Sequence, residues 1–173
     1  EKDQMFIPQG KSHARFFERN GKLYFSTHVG YYELINGMDR LPVNPPSGYK
    51  LYPGGHILSY DLQTRAFENL ALVPNGEGVV SMTADRDRGH IFGISWPKGN
   101  FIHYDIDKNE LKDLGRTSGN GEGGEPGDDF RSLCRSLVVD PSDGTVYFST
   151  SEGDIFSYNP EVGQINKLEN VNL

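Results

Sequence analysis

The sequence predicts an all-β domain in which one four-stranded antiparallel unit is repeated three times. Three segments share a leading glycine, two adjacent apolar residues, a tyrosine and a closing Asp or Asn: GHILSYD at 55–61, GNFIHYD at 99–105 and GDIFSYN at 153–159. A turn glycine before a short apolar run and a turn-forming side chain after it are typical of a β-strand. Recurrence at intervals of roughly 20–50 residues indicates a repeat protein.

The likeness extends to both sides of these segments. Before each lies a second predicted strand: GKLYFST at 21–27, GHIFGIS at 89–95 and GTVYFST at 144–150. After each lies a run that ends on leucine: FENL at 67–70, ELKDL at 110–114 and QINKL at 164–168. The first strand of each unit is predicted in HARFFERN, SMTADRDR and SLVVDPSD. No helical periodicity competes with this pattern, so we expect units at about 13–72, 78–115 and 131–169, with long loops at 28–55 and 116–130.

Composition limits the class of protein. A chain of 173 residues suits one domain with a sizeable core. Its hydrophobic content of 35%, with 21 Gly and 10 Pro, fits many short strands joined by turns. The formal charge of -7 argues against nucleic-acid binding, which needs clustered Lys and Arg. No apolar run reaches the ~18 residues of a membrane span, and the single Cys134 rules out an internal disulfide.

A four-stranded unit of this size buries both its faces when copies stack around an axis. The repeated units with their closing Tyr-Asp or Tyr-Asn resemble the blades of a β-propeller of the quinoprotein-like or YVTN-like kind, over nearly the whole chain. The pattern departs from WD40 repeats, because no Trp-Asp closes the third strand. It departs from Kelch repeats, because paired glycines do not recur at matching places: Gly54-Gly55 has no equivalent before the third strand of the other two units. The resemblance implies an all-β fold of three blades.

Three blades do not close a ring, since propellers have roughly 4 to 8. The chain is therefore either part of a larger propeller of about 6–8 blades or closes by pairing with other chains, and we favour the first. Its partners would be the remaining blades of the same protein or a partner chain. Low cysteine content, many aromatic residues and a start at Glu1 without Met suggest a periplasmic or secreted product.

In such blades, the loops between the second and third strands share one rim with the loops between consecutive blades. The tight turns lie at the opposite rim. The long loops and their neighbours are thus predicted to meet, with these candidate residues: His28, Tyr31, Tyr32, Glu33, His56, Glu77, Trp96, Lys98, Glu122, Glu125, Asp128, Asp129, Arg131, Arg135 and Glu152. By contrast, His90 and His103 fall inside strands and are expected to be structural.

Two histidines and two arginines are the strongest candidates for catalysis or ligand binding. His28 and His56 bracket the first long loop, where they could bind a metal or act as base and acid with a tyrosine. The alternative, which we favour, is that each caps a strand or stacks on a tyrosine. Arg131 and Arg135 precede the inner strand of the third unit and could hold a carboxylate or sulfate. A salt bridge to Asp128, Asp129 or Glu77 is an equally good interpretation.

The other candidates suggest a sugar ligand or a cation. Trp96 and Lys98, near Tyr32, could form an aromatic platform for a sugar ring, although packing of Trp96 between blades is somewhat favoured. Glu77 lies at the same rim. Four carboxylates from Glu122 to Asp129 could hold a divalent metal such as calcium, but a solvated loop is the better interpretation.

The chemistry of these residues is similar to that of propeller-fold polysaccharide lyases of the oligogalacturonate and ulvan types. In those enzymes Arg neutralises a uronate carboxylate, and His or Tyr abstracts the adjacent proton. The likeness lies in residue types and in no shared motif. It implies His28, Tyr31, His56 and Arg135 as catalytic, and Tyr32, Glu77, Trp96, Lys98 and Arg131 as substrate-binding. The competing hypothesis is a non-catalytic scaffold that presents the same rim to a protein partner, or a propeller domain of a larger multidomain protein.

Overall fold

The structure is a computed structural model that describes residues 5–6, 9–35, 38–117, 121–122 and 132–172. The fold is all-β and propeller-like. Its strands are β1 Met5–Phe6, β2 Gln9–Lys11, β3 Phe17–Arg19, β4 Lys22–Ser26, β5 His28–Val29, β6 Glu33–Ile35, β7 Met38–Arg40, β8 Tyr49–Lys50, β9 His56–Asp61, β10 Phe67–Leu72, β11 Gly78–Asp85, β12 His90–Trp96, β13 Asn100–Asp105, β14 Glu110–Arg116, β15 Leu137–Val139, β16 Val146–Ser149, β17 Asp154–Asn159 and β18 Gln164–Asn172. Within the described ranges, the one helical element is a single 3-10 turn at Pro74–Gly76.

Three four-stranded antiparallel sheets make up most of the described chain. Sheet 1 has the order β10-β9-β4-β3, sheet 2 the order β11-β12-β13-β14, and sheet 3 the order β15-β16-β17-β18. Each sheet runs up and down in sequence order, and the repeated segments form its second and third strands. The predicted all-β class with four-stranded antiparallel units is confirmed.

The loop predicted at 28–55 contains short strands of its own. Strand β5 pairs with β2, β1 runs parallel to β8, and β6 and β7 form a hairpin. The N-terminal segment therefore supplies partners for the loop. The side chain of Gln9 joins three points of this region: its Oε1 accepts from Thr27 Oγ1 (2.6 Å) and Tyr52 Oη (2.8 Å), and its Nε2 donates to the Gly54 carbonyl (2.6 Å).

Two hydrophobic cores separate the three sheets. The core between sheets 1 and 2 contains Tyr24, Ile57, Ile91, Ile102 and Tyr104, together with Phe17, Val79 and Met82. The core between sheets 2 and 3 contains Phe92, Phe101, Val146, Phe148 and Tyr158. Every residue of β12 and β13 is buried, because sheet 2 is covered on both faces. Its strands therefore lack the alternation of apolar and polar residues seen in a half-exposed sheet.

Hydrogen bonds between sheets define the two rims. At one rim the tight turns are tied together: Arg19 pairs with Asp107 (2.9 Å), and Arg88 donates to the Ser142 carbonyl (3.0 Å). At the other rim Gly55 N donates to the Glu77 carbonyl (2.8 Å), and Glu122 N donates to the Pro97 carbonyl (2.7 Å). Residues of both long loops thus lie at the rim opposite the tight turns, as the sequence predicts.

Sheets 2 and 3 also share a buried polar chain. His103 Nε2 lies 3.0 Å from His90 Nδ1, and His103 Nδ1 lies 3.1 Å from Tyr158 Oη. Burial, together with the positive charge of a protonated His90, lowers the pKa of His103 to about 4. Both histidines are buried, which agrees with the structural role predicted for them.

This pKa shift predicts a loss of stability in mild acid. An unfolded histidine takes up a proton near pH 6.5, whereas folded His103 stays neutral until about pH 4, so stability is lost as pH falls through this window. Between pH 7 and pH 4.5 the wild type should lose about 2 kcal/mol more unfolding free energy than His103→Asn. Urea unfolding at a series of pH values measures this difference. Parallel pH profiles for the two proteins would contradict it.

Candidate functional site

Four rings form an aromatic cluster at the loop rim: His13, His28, Tyr32 and Trp96. The ring centroid of His28 lies 5.0 Å from that of His13, 5.2 Å from Trp96 and 6.1 Å from Tyr32. The ammonium group of Lys11 lies 4.6 Å from the centre of the Tyr32 ring. Strand β5 places His28 here because its pairing with β2 turns the side chain toward the start of sheet 2.

His28 sits in the interior of this cluster. It is 2% exposed, and its Nδ1 has no hydrogen-bond partner in the described part of the chain. Burial lowers the pKa of His28 to about 3, and the positive charges of His13, Lys11 and Arg135 add to the shift. The Nδ1 atom faces the Cα of Gly78, where a Cβ would overlap the ring. His28 is therefore neutral at ordinary pH and packed against backbone.

Glu77 is also buried, at 1% exposure. Its Oε2 accepts from Ser95 Oγ (3.0 Å) and from Lys98 N (2.9 Å), and Ser95 Oγ in turn accepts from Asn100 N (3.0 Å). Burial raises the pKa of Glu77, and these hydrogen bonds oppose the increase. The Glu77 carboxylate holds the loop between β12 and β13 by these hydrogen bonds. It is therefore directed into the protein and does not contact a ligand.

The remaining sequence candidates are spread over different surroundings. Trp96 is 4% exposed and packs on His28 and Tyr32, which matches the packing alternative. Tyr31 is exposed, and the Lys98 side chain lies on the surface. His56 Nδ1 lies 3.0 Å from Asn69 Oδ1, and its neighbour Ile57 faces sheet 2, so His56 faces the other side of sheet 1. The structure does not bring His28 and His56 together.

The structure describes Gly121 and Glu122 of the acidic loop. Glu122 Oε2 accepts from Leu133 N (3.0 Å) and lies 3.4 Å from Arg135 Nη2. Arg135 thus has an acidic neighbour that differs from those expected from the sequence. Glu125, Asp128, Asp129 and Arg131 lie outside the described residues. Among the residues that are described, no three His, Cys, Asp or Glu side chains are arranged to hold a metal ion.

A cleft of about 580 Å³ opens where the first strands of the three sheets approach one another. Three cationic or basic side chains line it: His13, Arg15 and Arg135. Burial and the charges of Lys11 and Arg135 lower the pKa of His13, although its side chain is exposed. Arg15 forms no hydrogen bond or ion pair within the described ranges. Its guanidinium is therefore available to a ligand.

The rest of the cleft wall is mixed. Hydroxyl groups come from Ser81, Thr83, Ser136, Tyr147 and Ser149, and apolar surface comes from Val80, Met82 and Leu137. Ser81 Oγ donates to the Arg135 carbonyl (2.6 Å), which joins the wall formed by sheet 2 to that formed by sheet 3. Cys134 Sγ lies 2.8 Å from Ser149 Oγ, behind this wall.

Sequence reasoning missed His13 and Arg15. Both precede β3 in a segment that the pattern assigned to an inner strand. A signal was present in the repeat alignment, where His13 matches Ser81 and Arg15 matches Thr83. All four residues line the cleft. Equivalent positions at the start of each repeat therefore contribute to the cleft, in addition to the long loops.

Comparison with known proteins shows the fold alone. No protein-family model and no curated protein matches the chain. The crystal structure of the N-terminal domain of Nup159, a propeller, superposes with a TM-score of 0.50 at 9% identity over 92% of this chain and 30% of that chain. Structures of the mitotic checkpoint complex and of a protein of unknown function from Bacteroides thetaiotaomicron give TM-scores of 0.46, at 14% and 11% identity.

The same two matches cover 66% and 85% of this chain, and 32% and 30% of those chains. The chain thus spans about a third of the length of each of these structures. In addition, no helix in the described residues is long and apolar enough to cross a membrane.

The contact between Gly78 and His28 predicts a coupled pair. Gly78→Ala places a Cβ against a buried ring that has no room to move, and overpacking of this kind costs about 1–3 kcal/mol of unfolding free energy. In a His28→Ala background most of that cost should disappear, giving a coupling of roughly 1 kcal/mol or more. Urea unfolding of the four proteins of this cycle measures it. Full additivity would show that Gly78 acts through its backbone and not through His28.

Proposed function

We propose that the three sheets are three blades of a β-propeller whose ring of about 6–8 blades is completed by further blades. Supporting this proposal are the strand order, the tight turns gathered at one rim, and the likeness to the Nup159 domain. A periplasmic or secreted location belongs to the same proposal. Blades arranged in this way bring the first strands to the axis, so the cleft would open into the central channel.

We further propose that the cleft binds an acidic carbohydrate, and that the basic side chains of the cleft hold the carboxylate groups of the sugar. The observation that carries this proposal is the convergence of His13, Arg15 and Arg135 on one cleft, in a chain whose formal charge is -7. Arginine holds a carboxylate by two parallel hydrogen bonds, and does so best when it is not already paired. Arg15 meets this condition, and the contact of Arg135 with Glu122 is long at 3.4 Å.

The other walls suit a sugar. Hydroxyl groups of Thr83, Ser136 and Tyr147 can exchange hydrogen bonds with sugar hydroxyls, while Val80 and Met82 offer apolar surface to the C–H groups of a ring. The volume of about 580 Å³ lies within the usual range for small-ligand sites. Tyr32, Trp96 and Glu77 would stabilise the protein beside the cleft. Trp96 and Glu77 would do so without contacting the ligand, since both are buried.

The sharper form of the proposal is lyase chemistry. In that form Arg15 and Arg135 neutralise a uronate carboxylate, which acidifies the adjacent C–H, and a neutral imidazole takes that proton. The electron pair left on this carbon forms a double bond to the next ring carbon, the glycosidic C–O bond there breaks, and the leaving oxygen takes up a proton from water or from the imidazolium. His13 meets the requirements for this base because it lines the cleft and its pKa is lowered. His28 and His56, the bases inferred from sequence, are respectively buried and bonded to Asn69.

The alternative function is a scaffold without catalysis. It is favoured by one observation: three of the candidate catalytic or substrate-binding residues, His28, Glu77 and Trp96, are buried. The loop rim would then present Tyr31 and Lys98 to a protein partner. Binding and turnover measurements separate the two functions.

Binding is tested with a soluble polygalacturonate oligomer and isothermal titration calorimetry. Arg15→Ala and Arg135→Ala should each weaken binding roughly tenfold, because each removes a charge-assisted hydrogen bond. Lys112→Ala is the matched control, since Lys112 lies on β14 beside Glu110 and away from the cleft. Affinity should fall with added salt and vanish for a neutral oligosaccharide. Equal loss in all three variants, or equal binding of the neutral sugar, would refute the cleft as a carboxylate site.

Turnover is tested on the same oligomer by the ultraviolet absorbance of an unsaturated product. His13→Ala should abolish product formation and leave calorimetric binding within about threefold, since the imidazole moves a proton and the arginines hold the ligand. His56→Ala should retain turnover. If His56→Ala is inactive while His13→Ala is active, the base is the one inferred from sequence. Binding without turnover in the wild type would leave the carbohydrate-binding function and remove the lyase form.

A further inference from the structure

A second, smaller pocket continues from the cleft toward the tight-turn rim. Its volume is about 150 Å³, and it shares Arg15 and Thr83 with the cleft. Strand β11 runs from the loop rim to the tight-turn rim. Along this strand the cleft reaches back to Val80, whereas the small pocket reaches forward to Arg86. The two spaces therefore follow one another along β11, and Arg15 lies between them.

Both walls of the small pocket come from sheets that pack on each other within this chain. Arg15 and Phe17 belong to the side of sheet 1, and Met82 and Arg86 belong to the side of sheet 2. Phe17 and Met82 are buried in the core between these two sheets. The pocket thus has an apolar floor that the chain itself completes.

Arg86 brings a positive charge to this pocket. Its side chain is exposed and forms no hydrogen bond or ion pair with any residue that the structure describes. The adjacent carboxylate of Asp85 is already bound by Arg88 Nη1 at 2.9 Å. The Arg86 carbonyl accepts from Arg19 Nε (2.8 Å), so the backbone that carries Arg86 is fastened to sheet 1. The Arg86 guanidinium is therefore available to an anion.

The tight turn does not need an arginine at this position. The corresponding turn of sheet 3 also follows an aspartate and ends on a glycine, and it has Pro141 in the place of Arg86. The turn of sheet 1 consists of Asn20 and Gly21 alone. Turns at this rim thus form without a guanidinium, and the Arg86 side chain is not required by the strand order.

We propose that the small pocket is a second anion subsite, in which Arg15 and Arg86 hold one acidic group of an oligouronate chain while His13 and Arg135 hold another in the cleft. The ligand then lies lengthwise along β11 and contains at least two acidic sugars. This inference rests on the proposed carbohydrate-binding function and adds the length and the orientation of its ligand.

The two ends of this line are too far apart to share one carboxylate. Arg135 is fixed at the level of Ser81, whose Oγ donates to the Arg135 carbonyl (2.6 Å), and its guanidinium lies 3.4 Å from Glu122 at the loop rim. From Ser81 to Arg86 an extended strand covers about 16 Å. The guanidinium of Arg135 is directed away from Arg86, so each end needs an acidic group of its own.

The volumes allow a ligand of this length. A cavity of about 150 Å³ holds one six-membered ring, since engineered cavities of that size bind benzene. The cleft adds about 580 Å³. One sugar ring therefore fits the small pocket, and the next sugars of the same chain fit the cleft.

The surroundings of the small pocket suit a uronate. Two guanidinium groups can hold a carboxylate by charge-assisted hydrogen bonds, and the apolar floor strengthens this attraction because it lowers the local dielectric constant. The Thr83 hydroxyl can exchange a hydrogen bond with a sugar hydroxyl, and Met82 offers apolar surface to C–H groups. Charge and ring are thus recognised together.

Isothermal titration calorimetry with galacturonic acid and with trigalacturonate tests the inference. The wild type should bind the trimer at least tenfold more tightly than the monosaccharide, because the second subsite adds a tethered contact. Arg86→Ala should remove most of this gain and leave the affinity for the monosaccharide within about twofold. Arg15→Ala should weaken binding of both ligands, because Arg15 lines both spaces.

Two further variants serve as controls. Arg86→Lys keeps the charge but loses the planar fork, so it should retain part of the gain with the trimer. Arg116→Ala should bind both ligands like the wild type, because Arg116 is an exposed arginine of the same sheet on its opposite edge strand, β14. Circular dichroism confirms that each variant is folded.

The outcomes separate this inference from the proposed function. Equal affinities of the wild type for monosaccharide and trimer would overturn the second subsite and leave the carboxylate site in the cleft. The subsite is also overturned if Arg86→Ala weakens both ligands equally, or if Arg116→Ala reproduces its effect. A wild type that binds neither uronate would refute the proposed function and this inference with it.

Discussion

The structure depends on the need to bury both faces of each four-stranded sheet. Sheet 2 meets this need within the chain, because sheets 1 and 3 cover it and every residue of β12 and β13 is buried. The stacking also determines where loops meet. Bonds such as Gly55 N to the Glu77 carbonyl and Val79 N to the Thr27 carbonyl join the end of one sheet to the start of the next. The cleft is a consequence of this stacking, since the first strands are brought together along one line.

Carboxylates of the tight turns are held by local hydrogen bonds. Asp61 accepts from Gln63 N and Thr64 N, and Asp105 accepts from Lys108 N and pairs with Lys108 Nζ at 2.9 Å. Burial acts to raise the pKa of Asp105, but its contacts with Lys108 outweigh burial and hold that pKa below its usual range. The backbone hydrogen bonds likewise lower the pKa of Asp61.

The repeat and its strands could be predicted from sequence because their signals are local. A glycine such as Gly89 or Gly144, with a positive φ in the structure, starts each second strand, and Tyr-Asp or Tyr-Asn closes each third. Strands β5 and β8 of the first long loop could not be predicted, because their partners β2 and β1 lie in the N-terminal segment. Pairing of β2 with β5 depends on tertiary contact and leaves no period in either stretch.

The candidate site was harder to predict for the same reason. The exposure of His28, Glu77 and Trp96 depends on tertiary packing around the start of sheet 2. The local sequence contains no signal for this packing, so their burial could not be predicted. The order of strands and loops predicts that they lie at the loop rim. Their burial there prevents them from contacting a ligand directly. His13 and Arg15 lie in a predicted inner strand and not in a long loop, so the local sequence gives no sign that they line a cleft.

The three hydrogen bonds of Gln9 couple the N-terminal segment to the first long loop. This side chain fastens the N-terminal segment to Thr27, Tyr52 and Gly54, at both ends of the inserted region. The same segment continues into His13 and Arg15, which line the cleft. A chain that shortened the insertion would loosen the anchor of its own ligand-facing residues. Loop length and cleft chemistry are therefore expected to evolve together.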